Sequence, residues 1–287
     1  LQAELNMAVL IITHDLGVVA NLAEEVVVLY EGRVMEQGPI EALYERPAHP
    51  YLRALLHAVP HFDMKPGERL VPVRPIDYHA GELVQKTEPW PADAPAIHLD
   101  VRGVTKTFEQ RGGGLFGQRK GPTFRAVDDV SFAIPRGECF GLVGESGCGK
   151  TTLSKVIMRA LEPDSGEVLF NDRGTMVDVV RAGPEALMRF RRRVQYIFQD
   201  PFGSLSPRMT VFDILREPLV IHEVGDADYR ADMAKELMRL VGLDPRFLNR
   251  YPHSFSGGQR QRIGIARALA LKPDLVLCDE PVSALDV

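Results

Sequence analysis

One octapeptide near the middle of the chain has the residue types and spacing needed to hold a phosphate group. It reads Gly-Glu-Ser-Gly-Cys-Gly-Lys-Thr over residues 144–151, after the apolar run Cys139–Val143 and before a helical pattern. Glycines allow backbone N–H groups to turn inward, and a helix N-terminus favours an anion. We therefore predict that Lys150 contacts the β- and γ-phosphates of ATP and that Thr151 binds Mg²⁺. The predicted nucleotide-binding residues here are Gly144, Glu145, Ser146, Gly147, Cys148, Gly149, Lys150, Thr151 and Thr152.

Two adjacent acids follow a second apolar run, Leu275–Cys278. Ligands of parallel sheets bind at the carboxyl ends of strands, where Asp279 and Glu280 would stand. Asp279 is suited to hold Mg²⁺ and Glu280 to orient or deprotonate an attacking water. Taken alone, the pair is equally typical of a helix N-cap.

The segment 254–262, Ser-Phe-Ser-Gly-Gly-Gln-Arg-Gln-Arg, resembles the signature motif of ABC ATPases, with Phe255 where leucine is more usual. Residues 199–201 resemble the Q-loop of that family and residues 283–286 its D-loop, in the family order. The resemblance implies a catalytic and metal-binding role for Gln199. It also implies a set of residues that contact the nucleotide of an opposing module, namely Ser256, Gly257, Gly258 and Gln259.

The triplet Thr13-His14-Asp15 resembles the switch region of the same family, in which a histidine contacts the γ-phosphate. A lone histidine at a strand end is more often structural. In this sequence His14 precedes the phosphate loop, whereas one ABC module carries the histidine after its D-loop. We therefore interpret the N-terminal residues as the tail of a preceding module, with His14 as a candidate catalytic residue.

Residues 47–56 resemble the C-terminal extension of ATPases that serve dipeptide, oligopeptide and glutathione importers. On structural grounds alone they could form only an amphipathic helix that starts at a proline. The expected organisation is a preceding-module tail with this extension over residues 1–60, a Pro-rich linker over 61–96, and an ABC module over 97–287 that ends after the D-loop. The whole resembles part of a fused double ATPase.

The resemblance implies an α/β fold: a three-layer P-loop NTPase core, an antiparallel β subdomain and a helical subdomain around residues 202–255. Alternation in Ile97–Val101 and the run Val127–Ile134 predict paired antiparallel strands. We also expect a permuted core in which Ala8–Ile12 pairs between Cys139–Val143 and Leu275–Cys278. Such pairing would bring His14 towards Glu280. Phe108 and Phe124 are alternative candidates to stack on adenine, and either could instead belong to the core.

Composition and charge limit the partners and the location that the sequence allows. The 287 residues carry a formal net charge of -5, which argues against nucleic acid as a partner. The apolar runs are of strand length, far below the roughly 18 residues of a membrane helix. Three widely spaced cysteines fit a reducing compartment. The basic run around Arg191 is interpreted as a solvated helix face.

The family resemblance implies ATP hydrolysis that energises import of peptides or similar small solutes. The implied partners are membrane permease subunits, a second ATPase module and, indirectly, a periplasmic solute-binding protein. The implied location is the cytoplasmic face of the inner membrane, without insertion. Two alternatives stay open: a soluble ABC ATPase that acts on nucleic acid or ribosomes, and a module that binds ATP without turnover. The solute itself is not readable from this sequence.

Overall fold

The structure is a computed structural model that describes residues 8–13, 16–58, 81–85, 87–111, 120–200 and 202–280. The chain divides into two compact units with the boundary between residues 77 and 78, and each is described separately. The α-helices are α1 Leu16–Leu22, α2 Ile40–Glu45, α3 Pro50–His57, α4 Glu82–Gln85, α5 Lys150–Ile157, α6 Pro184–Arg193, α7 Val211–Ile221, α8 Ala227–Leu240 and α9 Gly257–Leu269. The strands are β1 Glu25–Tyr30, β2 Arg33–Pro39, β3 Ile97–Arg111, β4 Lys120–Pro135, β5 Ser165–Asp172, β6 Thr175–Asp178, β7 Val194–Ile197 and β8 Leu275–Cys278.

The N-terminal unit is a hairpin covered by short helices. Strands β1 and β2 pair antiparallel around a turn at Glu31 and Gly32, both of which have positive φ. Helix α3 is held there because the Glu36 carboxylate accepts hydrogen bonds from the backbone N–H groups of Ala48 (2.9 Å) and His49 (2.8 Å). These two bonds lower the pKa of Glu36. The predicted helix after residue 47 is therefore formed.

The second unit begins with an antiparallel sheet in the order β4-β3-β5-β6. Leu99 and Val101, which alternate with polar neighbours, are fully buried in the core under this sheet. Leu153 and Val156 of α5 and Phe190 of α6 are buried in the same core. The predicted pairing of β3 with β4 is confirmed, and this sheet covers the helix that follows the phosphate loop.

The helical subdomain consists of α7, α8 and α9 around one apolar core. Each helix starts at a residue whose side chain accepts a hydrogen bond from a backbone N–H of the first turn: Thr210, Asp226 and Ser256. Ile214, Leu237 and Ile263, one from each helix, are at most 1% exposed. This arrangement places the start of α9 within the signature-like segment 254–262.

The parallel part of the second unit differs from the sequence expectation. Strand β7 pairs with β8, and Val194 lies opposite Leu275. Within the described residues, neither 8–13 nor 139–143 belongs to a strand, and both keep apolar side chains exposed, such as Ile12 and Val143 at 90% each. The predicted permuted core is therefore wrong. Residues 8–13 belong to the other compact unit, and apolar character alone provides no hydrogen-bonding neighbour.

The end of the predicted linker is attached to the second unit. The Glu236 carboxylate of α8 accepts hydrogen bonds from the N–H groups of Leu83 (3.3 Å) and Val84 (2.7 Å) in α4. Further along, the Trp90 ring lies under the guanidinium groups of Arg136 (4.8 Å) and Arg173 (4.6 Å). The two cation–π contacts hold this stretch against the sheet. The hydrogen bonds to Glu236 hold it against the helical subdomain.

His98 of β3 is buried in the same region, with its ring between Trp90 (5.3 Å) and Phe170 (5.0 Å). Burial lowers the pKa of His98, and Arg136 and Arg173 act in the same direction, whereas Asp274 opposes them. Because the unfolded chain binds the proton more readily, we expect the free energy of unfolding to fall as pH drops below about 6.5. The free energy of unfolding should change with pH by at most about 1.4 kcal/mol per pH unit.

Urea unfolding of the His98→Phe variant between pH 5 and 8 tests this expectation. The phenyl ring keeps the aromatic contacts but binds no proton, so the pH dependence should become shallower. His253→Phe, at an exposed histidine, serves as the matched control and should keep the parent slope. If the stability of the parent, of His98→Phe and of His253→Phe depended equally on pH, His98 would not be the source of the pH dependence.

Candidate functional site

The phosphate loop has the backbone that its glycines predict. Gly149 has φ 106° and a Cβ at this position would lie 2.1 Å from the carbonyl oxygen of Ala126, so only glycine fits. Gly147 also has positive φ (83°). The loop ends at α5, whose first residue is Lys150. The loop is therefore closed against β4 on one side and opens its exposed face to solvent.

The Lys150 ammonium group lies over its own loop. Its Nζ donates hydrogen bonds to the carbonyl oxygens of Gly144 (2.6 Å) and Glu145 (2.9 Å). A turn from the Cys148 N–H to the Glu145 carbonyl (3.3 Å) keeps the loop compact. The lysine ammonium group has three hydrogen-bond donors and a compact positive charge, so a phosphate bound in this loop would contact a cation.

The two motifs that the sequence singled out as phosphate-binding and acidic meet in space. Thr151 Oγ1 donates a 2.9 Å hydrogen bond to Oδ2 of Asp279, across 128 residues of sequence. Strand β8 delivers this acid because it runs parallel to β7 and ends next to the start of α5. The helix N-cap alternative for the acidic pair does not account for this contact.

Glu280 contacts Gln199, the other residue of this sheet edge for which a catalytic role was predicted. Gln199 Nε2 donates a 2.5 Å hydrogen bond to Oε2 of Glu280, and both side chains are solvent-accessible. Backbone pairing continues beyond the strands, since the Asp279 N–H donates to the Ile197 carbonyl at 3.0 Å. Glu280 has φ 46°, a left-handed conformation that turns the chain at this point. The two residues thus stand together at the carboxyl edge of the β7–β8 sheet.

The signature motif forms the start of α9. Ser256 and Gln259 make a reciprocal capping box, in which each side chain bonds the backbone N–H of the other. Gly257 and Gly258 occupy the first turn of α9, where backbone N–H groups are free to bind an anion. The Arg260 guanidinium lies 4.4 Å from the ring of Phe202 and links this helix to the segment after Gln199.

The residues present fit a magnesium ion that is shared with a phosphate. Thr151 and Asp279 offer a hydroxyl and a carboxylate within hydrogen-bonding distance of each other at a helix N-terminus. Mg²⁺ prefers such oxygen ligands, with substrate phosphates and water completing its shell. Within the described residues no group of three or more His, Cys, Asp or Glu side chains is placed to hold a metal.

Other predictions from the sequence concern residues outside the described ranges or away from the phosphate loop. His14 and the D-loop-like residues 283–286 lie outside the described residues, so the expected approach of His14 to Glu280 stays a prediction. Phe108 and Phe124 face each other across β3 and β4 and are 39% and 54% exposed, which argues against the core alternative for both. The arginine run of α6 makes ion pairs as well as facing solvent: Arg193 contacts Asp172 at 2.9 Å.

Sequence reasoning missed two residues at this site. The Tyr196 hydroxyl lies 2.8 Å from Asp279 Oδ2 and 3.0 Å from Ser154 Oγ. The available signal was a tyrosine within the apolar run before Gln199, because a buried phenol requires a hydrogen-bonding partner. Ser154 stands one helical turn after Thr151, a spacing that places both on one face of α5.

Comparison with known proteins assigns the chain to a family. The sequence profile of the ABC transporter family matches residues 127–283. The chain belongs to this family. A second profile, described as the oligopeptide/dipeptide transporter C-terminal region, matches residues 35–83 and supports the prediction of an importer-type extension.

The curated relatives of this ABC chain include the protein named glutathione import ATP-binding protein GsiA. The chain is 44% identical to the one from Salmonella typhimurium strain LT2 and 43% identical to the one from Escherichia coli strain K12, each over 290 aligned positions. The alignments cover the whole chain but only 45% of each relative. The chain thus spans less than half the length of these curated relatives.

Solved structures of ABC cassettes support the fold. A dimeric, post-hydrolysis form of the ATP-binding cassette MJ0796 bound to ADP and Pi is 31% identical, with a TM-score of 0.56 over 66% of this chain and 76% of that one. The predicted α/β P-loop fold with antiparallel and helical subdomains is confirmed. No helix in the described ranges has both the length and the apolar character needed to span a bilayer.

Proposed function

We propose that this ABC chain binds ATP with Mg²⁺ and that hydrolysis of the ATP energises import of peptides or similar small solutes, glutathione among them. The observation that carries the proposal is the 2.9 Å hydrogen bond between Thr151 and Asp279, which joins the phosphate loop to the acidic strand end. The names of the relatives and the importer-type extension support the transport direction and solute class.

Each residue of the site receives a role in this proposal. The loop from Gly144 to Thr152 holds the phosphates, with Lys150 countering their charge. Thr151, Asp279 and Gln199 hold Mg²⁺, which when bound neutralises charge on the β- and γ-phosphates. Glu280 orients or deprotonates the attacking water, and its bond to Gln199 keeps the carboxylate at the strand end.

The proposed partners include a second ATPase module and membrane subunits. The start of α9, formed by residues 256–259, contacts the nucleotide of a second ATPase module, with the backbone N–H groups of Gly257 and Gly258 directed to the anion. Membrane permease subunits, served indirectly by a periplasmic solute-binding protein, convert the ATPase cycle into transport. The chain acts at the cytoplasmic face of the inner membrane, and His14 remains a candidate for contact with the γ-phosphate.

Solute uptake tests the proposed function. Deleting the reading frame that holds this sequence is expected to abolish most uptake of labelled dipeptides, tripeptides or glutathione, because the ATPase drives the permease. Uptake of a labelled sugar serves as the control for general energy supply. Re-expression of the intact frame should restore uptake. Unchanged uptake of every peptide and of glutathione would contradict the import function while leaving ATP binding to be judged separately.

A further inference from the structure

A tyrosine behind the nucleotide site contacts the acid assigned to magnesium. The Tyr196 hydroxyl lies 2.8 Å from Oδ2 of Asp279 and 3.0 Å from Oγ of Ser154. Thr151 donates to the same carboxylate oxygen at 2.9 Å. Oδ2 of Asp279 is thus held from two sides, by α5 and by β7.

The strand register explains how the phenol reaches this position. Tyr196 pairs with Leu277 in the parallel β7–β8 sheet, so Asp279 emerges two residues further along the neighbouring strand. The ring of Tyr196 contacts that of Phe198, with 4.7 Å between ring centroids, which restricts its orientation. A shorter side chain at position 196 would not reach the carboxylate.

The direction of the hydrogen bond between Tyr196 and Asp279 follows from the charge of the carboxylate. An ionised carboxylate only accepts hydrogen bonds, so the phenol proton goes to Asp279. The single hydroxyl proton of Ser154 is within hydrogen-bonding distance of both the Tyr196 oxygen (3.0 Å) and the Thr151 carbonyl oxygen (3.0 Å). A tyrosine phenol is protonated at neutral pH and is therefore able to donate. The donor is therefore available whenever Asp279 is ionised.

We propose that Tyr196 is a positioning residue for Mg²⁺-dependent nucleotide binding, an inference that rests on the proposed function. The two donors fix Oδ2 and leave Oδ1 of Asp279 for the metal or its water shell. Without the phenol, only Thr151 would restrain the carboxylate, and the side chain would rotate more freely. Partners that orient metal-binding groups typically contribute about 10- to 100-fold to metal affinity.

The test is ATP binding to the Tyr196→Phe chain, measured by calorimetry in EDTA and across a Mg²⁺ titration. We expect unchanged ATP affinity in EDTA, because the ring and its packing remain. The Mg²⁺ concentration that half-maximally increases ATP affinity should rise about tenfold. Tyr251→Phe, at an exposed tyrosine stacked on His253, is the matched control and should behave as the parent.

Three other outcomes would overturn the inference. An unchanged Mg²⁺ dependence in Tyr196→Phe would show that the phenol does not act on the metal. Equal losses of affinity with and without Mg²⁺ would show a purely structural role. Absence of any Mg²⁺-dependent ATP binding in the parent chain would refute the proposed function itself, and this inference with it.

Discussion

Replacing Glu280 with glutamine is expected to lower ATP turnover about 100-fold or more while ATP binding stays near the parent level. General bases typically contribute about 10²- to 10⁴-fold to rate, and an amide cannot take the proton. The amide oxygen of glutamine can still accept the hydrogen bond that Gln199 donates to Glu280 at 2.5 Å, so the local geometry should persist. The magnesium ligands proposed at Thr151 and Asp279 are untouched.

Turnover of the Glu280→Gln variant is to be measured as phosphate release by the assembled transporter, with ATP affinity determined in parallel. Glu162→Gln, at an exposed glutamate just after α5, is the matched control and should retain parent turnover. Turnover close to the parent rate in Glu280→Gln would rule out Glu280 as the base. Loss of ATP binding in the same variant would point instead to a structural role for this carboxylate.

Lys150→Ala is expected to weaken ATP binding about 100-fold. Hydrogen bonds to charged groups contribute roughly 1.5–3 kcal/mol, and about 2.8 kcal/mol corresponds to that factor. The loop itself should survive, because its shape rests on the positive φ of Gly147 and Gly149 and on the turn between Glu145 and Cys148. The loss therefore reports on the lysine charge and not on unfolding of the loop.

Calorimetric titration with ATP and Mg²⁺ measures this effect. Lys155→Ala removes the same charge from the last turn of α5 and is the matched control, for which near-parent affinity is expected. Unchanged affinity in Lys150→Ala would refute the assignment of the phosphate loop. Equal losses in both variants would show that overall charge, and not the position of Lys150, governs binding.

The amino-acid sequence by itself determined the features that depend on neighbours a few residues apart. Gly149 must be glycine because its φ and the nearby Ala126 carbonyl exclude a side chain, and the motif placed it correctly. The caps at Thr210 and Ser256 and the strand alternation in Leu99 and Val101 follow the same rule. Local steric and hydrogen-bonding preferences act within one turn or one strand, so they are readable in linear order.

Only the tertiary structure decided the neighbours of the apolar segments whose pairing leaves no local signal in the sequence. Strand β8 pairs with β7, and residues 8–13 join neither strand, because apolar character makes a segment suitable for burial without selecting its hydrogen-bonding neighbour. The same limit hid Tyr196, whose contact with Asp279 spans 83 residues and depends on the β7–β8 register. Such contacts arise from the packing of whole elements, and their energies depend on partners that are distant in sequence.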